Sequence, residues 1–326
     1  SEAERRQAKH DIQHVEDIVI EMLRNARDAG ADKVYLATSK EDGVRTLVFL
    51  DNGSGVPQDM QERIFDARVT SKLESMKMDR WGVHGRGMAL FSIKQNTDEA
   101  RVVASDVDLG TVFKVSVATD RLGERVDQSS WPQAVKDEDG HYVCARGPHN
   151  IIRAACEFAL EELRACDVYL GSPSEIAATL HAQASSRLDA SRLLFIDDEA
   201  ELPVIDRLGL ASDAEDFIRI CSGLGLEMSE RTAHRILAGQ IKPVRGVTAR
   251  LLRERDSSSH ASAPVDLAKD RRGLRIAKDD MAQFSRAVER DFNDLASRYY
   301  LNLCGDPKIR VSRDRITVTF DLAKEE

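Results

Sequence analysis

Between residues 8 and 30 the apolar positions recur at helical spacing. Ile12, Val15, Ile18, Val19, Met22, Leu23 and Ala26 predict one long amphipathic helix. The period then switches to that of strands. "ADKVYLATSK" reads as a first strand, Glu41-Asp42-Gly43 as a turn, and "VRTLVFLDNG" as a second strand that stops at Gly53. A short helix is predicted around "PQDMQERIF", with Pro57 near its first turn. Residues 67–87 are polar and glycine-containing and read as a loop. A helix, "MALFSIKQNT", and two strands, "EARVVASD" and "GTVFKVSVAT", follow. Together these elements predict a compact α/β domain over residues 1–125.

Beyond that point the pattern changes. Residues 126–149 hold "DQSSWPQAVKDEDGHY" and "RGPHN", a loop-like composition that marks a linker. Over 150–255 helical periods dominate, in "IIRAACEFALEELRAC", "SPSEIAATLHAQASSRL", "DAEDFIRICSGLGL", "SERTAHRILAGQI" and "VTARLLRER". "DSSSHASAP" supplies a second linker, 256–265. Residues 266–326 read as a long helix and a β-hairpin around "KIRVSRDRITVTFDL". On that helix Phe284, Val288, Phe292, Leu295, Tyr299 and Tyr300 form a stripe suited to core packing or a dimer seam. The fold class is α+β: an α/β sandwich, a mainly helical region and a small C-terminal α/β segment.

Composition narrows the setting. The 326 residues suffice for two or three domains, and 42% hydrophobic with 32% charged residues allows an ordinary globular core. No apolar run approaches the roughly 18 residues of a membrane span. The polar start "SEAERRQAKHD" lacks the character of a signal peptide, so a cytoplasmic location is expected. The net charge of −9 argues against a basic coat but leaves room for a local basic patch. Five widely spaced cysteines without a Cys-x-x-Cys pair predict buried free thiols rather than a zinc site.

Three stretches carry candidate chemistry. In "EMLRNARDAGA", Glu21, Asn25 and Asp28 stand four and three residues apart and share one helical face that borders the core. Taken alone, that face also fits a solvated polar stripe. In "FLDNGSGVP", Asp51 closes an apolar strand, and Gly53 and Gly55 follow at alternate positions. A carboxylate there can accept a hydrogen bond from an exocyclic amine, and the glycines let backbone approach a flat ring. Asn-Gly is equally a common hairpin turn. In "WGVHGRGMALFSIK", Gly82, Gly85 and Gly87 precede an apolar helix, where backbone N–H groups can hold phosphate oxygens and Arg86 can add charge. The stretch lacks the Gly-Lys-Ser/Thr of a Walker loop, and a loop rather than a strand precedes it, unlike a dinucleotide fingerprint. Thr111 follows Gly110 at the start of a strand.

In order and spacing these pieces resemble the Bergerat ATP-binding fold of the GHKL superfamily, which includes gyrase, heat-shock chaperone ATPases, histidine kinases and MutL. Within it they look most like the MutL type. The "DAGA" ending of the first helix, the "ARVTSKL" segment and the "GVHGRGMALFSI" helix start carry the likeness, over about residues 10–118. The resemblance implies ATP and Mg2+ as ligands. It implies Glu21 as the general base that orients the attacking water, Asn25 as an Mg2+ ligand and Asp28 as a support of the pocket. Asp51 would read the adenine amine with Thr111 beside it, and Gly53 and Gly55 would border the base. Thr70, Ser71, Lys72, Gly85, Arg86 and Gly87 would belong to the lid and phosphate loop. The activity implied is ATP hydrolysis, with ATP ordering the 67–87 loop and switching domain arrangement or homodimerisation, in DNA repair or other DNA transactions.

The resemblance stops after the first domain. Its relatives send a lysine from a second α/β domain to the γ-phosphate, and here Lys242, Lys278 and Lys308 are only nominal candidates. The region 219–255 carries eight Lys/Arg against three Asp/Glu. Within it "GLEMSERTAHRILAGQI" resembles a helix-turn-helix capped at Ser229, whose second helix would present Arg231, His234 and Arg235 to DNA. A helical bundle with a basic solvated face reads the same residues without a ligand. Two other functions stay open: a DNA-binding regulator with an ATP-sensing domain, and a kinase-like signalling protein.

Overall fold

The computed structural model of the chain describes residues 10–67, 69, 77–79, 82–84, 88–188, 196 and 198–252, with residues 2 and 8 and parts of 284–324. Two compact units result, Ser1–Ser257 and Ser258–Glu326. The first is built on a five-stranded sheet of β1 (Lys33–Glu41), β2 (Val44–Asp51), β5 (Glu99–Ser105), β6 (Thr111–Ala118) and β9 (Asp167–Gly171). Their order is β5-β6-β2-β1-β9; β1 and β9 run parallel, and the other neighbours are antiparallel. β1 and β2 meet across Asp42 and Gly43, both at positive φ (48° and 80°), the two-residue turn whose twist matches that of its strands.

Both faces of the sheet are buried, which is why its central strands read as near-continuous apolar runs. Val34, Leu36, Leu47, Phe49, Phe113, Val115 and Val117 pack on one side, and Tyr35, Ala37, Val48, Leu50 and Val112 on the other. The first side is covered by α1 (Val15–Asp28), α2 (Ala89–Asn96) and α3 (Ile151–Glu161). The second is covered by α4 (Pro173–Arg187), α5 (Ala214–Gly223) and α6 (Glu230–Leu237). The fold is thus mixed α+β with a central mixed sheet. The helical stretch 150–255 shares its core with the first 125 residues, because β9 pairs with β1 and α4–α6 cap the sheet.

Several local details depart from the hydrophobic pattern for polar reasons. The expected helix over 8–30 is interrupted: residues 8, 10 and 11 are helical, 12–14 are not, and α1 starts afresh at Val15, where the Asp17 carboxylate accepts the N–H groups of both Gln13 and His14 at 2.8 Å. "PQDMQERIF" forms two 3-10 turns, Gln58–Met60 and Arg63–Phe65. The expected loop 67–87 contains a short hairpin, β3 (Lys77–Asp79) with β4 (Gly82–His84). Residues 126–149 hold another, β7 (Gln133–Lys136) with β8 (Tyr142–Arg146). That segment is tied down at both ends. The Gln128 amide donates to Glu16 at 2.6 Å and accepts the Ile151 N–H at 3.1 Å. Asn150, fully buried, caps α3 by accepting the Arg153 N–H and donates to the Asp127 and Ser130 carbonyls.

Cys144, Cys156, Cys166 and Cys221 are buried free thiols, whereas Cys304 is exposed. Burial pushes the Cys166 and Cys221 thiols up to about 12. In the second unit β10 (Leu301–Leu303) pairs with β13 (Leu322–Lys324), and β11 (Lys308–Val311) with β12 (Ile316–Thr319), all antiparallel. Of the expected long helix, only 284–285, 288–289 and 292 fall among the described residues, and these are helical. Among the described residues no helix is long and apolar enough to cross a membrane.

Candidate functional site

Strand register builds the first half of the site. β2 pairs with β6 so that its last residue, Asp51, stands opposite Thr111, the first residue of β6. By alternation both fall on the face covered by α1 and α2. Asp51 is only 3% exposed, and its Oδ1 accepts the Gly53 N–H at 2.8 Å. Burial raises its carboxyl, against the pull of the Gly53 and Thr111 N–H groups, to about 6. Ser105, at the end of β5, knits the neighbourhood together. Its hydroxyl donates to the Gly110 carbonyl (2.8 Å), accepts the Val56 N–H (2.7 Å) and lies 3.1 Å from the Thr111 hydroxyl. No sequence motif pointed to Ser105; its role follows only from the pairing of β5 with β6.

The glycines around Asp51 are required by the chain itself. A Cβ on Gly55 (φ 70°) would stand 1.8 Å from the Asp106 carbonyl oxygen, and one on Gly110 (φ 77°) 2.1 Å from that of Asp51. A Cβ on Gly53 would meet Ala29 at 2.9 Å. Close backbone packing therefore explains the Asp-x-Gly-x-Gly spacing without reference to a flat ring. The same crowding joins the turn to α1, since the Ser54 N–H donates to the Ala29 carbonyl at 2.9 Å. Asn52 locks the other side, accepting the Asp32 and Lys33 N–H groups and donating to the Asp32 carboxylate.

The second half of the site is the helix that ends at Ala29. Glu21, Asn25 and Asp28 lie on its partly exposed face. Glu21 accepts a hydrogen bond from Arg24 Nη1 at 2.7 Å. Asp28 accepts one from Arg27 Nε at 3.0 Å, and Arg27 also reaches Glu162 on the far side at 3.1 Å. Among the described residues Asn25 Nδ2 is buried with no hydrogen-bond partner, an arrangement that costs about 1–3 kcal/mol when nothing satisfies it. Because a carboxamide offers both a donor and an acceptor, Asn25 suits an oxygen-rich ligand sphere in either orientation. With two carboxylates on the same face, this hard-oxygen set fits Mg2+ and phosphate chemistry.

Not every expected residue is brought in. Thr70, Ser71, Lys72, Gly85, Arg86 and Gly87 lie outside the described residues. So does Lys278; Lys242 is exposed, and Lys308 is paired with Asp321 in the second unit. α5 and α6 are joined by a turn with Gly225 at φ 69°, and Ser229 caps α6 by accepting the Thr232 N–H. Arg231, His234 and Arg235 project from α6 into solvent, lining a shallow groove with Glu230, Ala238 and Gln240.

A helix with a polar stripe, packed on a mixed sheet whose buried Asp51 turn is bonded to the helix C-terminus, is consistent with a GHKL-type ATP-binding domain. Residues 12–105 match the family described as histidine kinase-, DNA gyrase B-, and HSP90-like ATPase. Among curated proteins the chain is similar to the DNA mismatch repair protein MutL of Thermodesulfovibrio yellowstonii, 32% identical over 104 residues, 31% of this chain and 19% of that protein. The MutL of Chloroherpeton thalassium is 34% identical over 109 residues, 32% and 17% of the two chains. That of Staphylococcus aureus strain Newman is 28% identical over 122 residues, 34% and 18%. The chain thus spans less than a fifth of the length of these relatives.

Proposed function

We propose that this chain binds ATP with Mg2+ on the α1 face of the sheet and hydrolyses it. The observation that carries the reading is the seam at Ala29, where the buried Asp51 turn is bonded to the helix that bears Glu21, Asn25 and Asp28. In this reading Asp51 accepts a hydrogen bond from the adenine amine, with Thr111 beside it. Asn25 holds Mg2+, which would neutralise charge on the phosphates, and Asp28 supports that end of the pocket. Glu21 orients the attacking water. Thr70, Ser71, Lys72, Gly85, Arg86 and Gly87 complete the lid and phosphate loop. Nucleotide occupancy then biases domain arrangement or homodimerisation, and the likeness to MutL directs the activity toward DNA transactions. Titration calorimetry with ATP and Mg2+ tests this: binding heat is expected, and its absence at every Mg2+ concentration overturns the reading.

A second reading, of DNA contact, is favoured by one observation. Between Arg231 and Leu252 there is no acidic residue, and Arg231, Arg235, Lys242, Arg245 and Arg250 are all exposed. Such a surface suits duplex phosphates, with α6 as the helix presented to the groove. Salt-dependent binding to duplex DNA, weakened in Arg231→Ala and Arg235→Ala, supports it; no binding at low salt removes it.

A further inference from the structure

We infer that Arg24 is the positioning residue for the Glu21 carboxylate, an inference that rests on the hydrolytic reading above. Arg24 lies one turn along α1 from Glu21 and is 3% exposed, while the Glu21 side chain is 20% exposed. Arg24 Nη1 donates to Glu21 Oε1 at 2.7 Å. A guanidinium so withdrawn from water requires acceptors, and a short charge-assisted bond directs one carboxylate oxygen. The Glu21 side chain keeps partial exposure, as a group that orients a water must. The pair also answers an electrostatic problem. A carboxylate that works beside a triphosphate is repelled by it, and an adjacent buried cation offsets that repulsion where screening is weak. Asn25, the next residue, sits on the same turn, so the cation, the carboxylate and the orphaned amide are held on one rigid helical turn. In chain order the device is Glu-x-x-Arg-Asn, and the arginine looks like an ordinary helix surface residue until its burial is known.

Arg24 acts through Glu21 and not on the nucleotide, so turnover and binding should separate. Arg24→Met keeps the length and removes the charge. It is expected to lower kcat about 100-fold, the scale set by misplacing a reacting group, with the dissociation constant for ATP and Mg2+ unchanged within about twofold. Arg24→Lys restores a single charged donor and should recover part of the lost kcat, and it serves as the test if Arg24→Met does not fold. In a Glu21→Gln background Arg24→Met should cost nothing more, because the group it positions is gone. Unchanged kcat in Arg24→Met, equal loss of kcat and affinity, or an additive double variant each overturn the inference. A Glu21→Gln variant that turns over normally overturns the base assignment itself. Normal turnover in Arg24→Met beside a dead Glu21→Gln variant removes only the role of Arg24.

Discussion

The two faces of the central sheet are built from alternate residues of the same strands, yet they do different work. Leu50 and Val112 face α4 and α5 in an apolar layer, while Asp51 and Thr111, one residue further along, face α1. The second face holds Tyr35, Val48 and Phe217 in an apolar layer, with the Tyr35 hydroxyl donating to Gln183 at its edge. The first face keeps a buried carboxylate in its ionised form at neutral pH. Holding a carboxyl of ordinary value 3.8 at about 6 costs about 3 kcal/mol there. A site that destabilises its own unliganded fold is one that gains from a ligand able to donate to Asp51. The contrast teaches that one face supplies the stability that the other spends.

The largest effect that would sharpen this contrast is on turnover. Glu21→Gln should retain nucleotide binding by calorimetry and lose about 10³-fold in phosphate release; normal release breaks the assignment. The glutamine keeps an acceptor for Arg24, which alanine would remove. Next in size, Phe217→Ala on the opposite face should lower unfolding stability by about 3–5 kcal/mol in a denaturant titration. Nucleotide affinity, measured where that variant is still folded, should hold. A proportionate loss of affinity would show that the faces are not separable.

Asp51→Asn should do the reverse. The amide oxygen can still accept the Gly53 N–H, and the buried charge is gone, so the unliganded protein gains about 1–2 kcal/mol at pH 7. The sign in pH follows from the raised carboxyl. Its contribution to stability is full below pH 3.8 and is lost as pH rises through about 6. The advantage of the Asn variant over wild type should therefore grow between pH 4 and pH 7 in thermal melts. Nucleotide affinity of the wild type should fall as pH is lowered from 7 to 5, because the protonated carboxyl is a weaker acceptor; a flat profile excludes Asp51 as the reader of an amine. The smallest effect belongs to α6. Arg231→Ala should leave nucleotide binding unchanged and lower the salt slope of duplex binding by about 1.

Much of the first face was legible in the sequence because its signals are local. The helical stripe, the Asp42-Gly43 turn and the alternation in β6 each reside within a dozen residues. The pairing of Asp51 with Thr111 was reached only through family likeness, since a register spanning sixty residues leaves no local trace. β9 escaped for the same reason. "DVYLG" is five residues among helices, and its partner β1 lies over a hundred residues upstream. Gly55 was singled out as a neighbour of a flat ring, but the crowding of Gly55 and Gly110 against the Asp106 and Asp51 carbonyls comes from segments far apart in the chain and left no local trace. Arg24 carried no signal, because burial on one side of a helix is decided by what packs there.

The late arrival of β9 and its flanking helices has a consequence during synthesis. Once residue 118 has left the ribosome, four of the five strands exist, but the apolar side formed by Tyr35, Val48 and Leu50 is not fully covered until the chain has grown to Ile236. At ordinary elongation speeds that interval lasts on the order of ten seconds, long enough for a nascent-chain chaperone to find it.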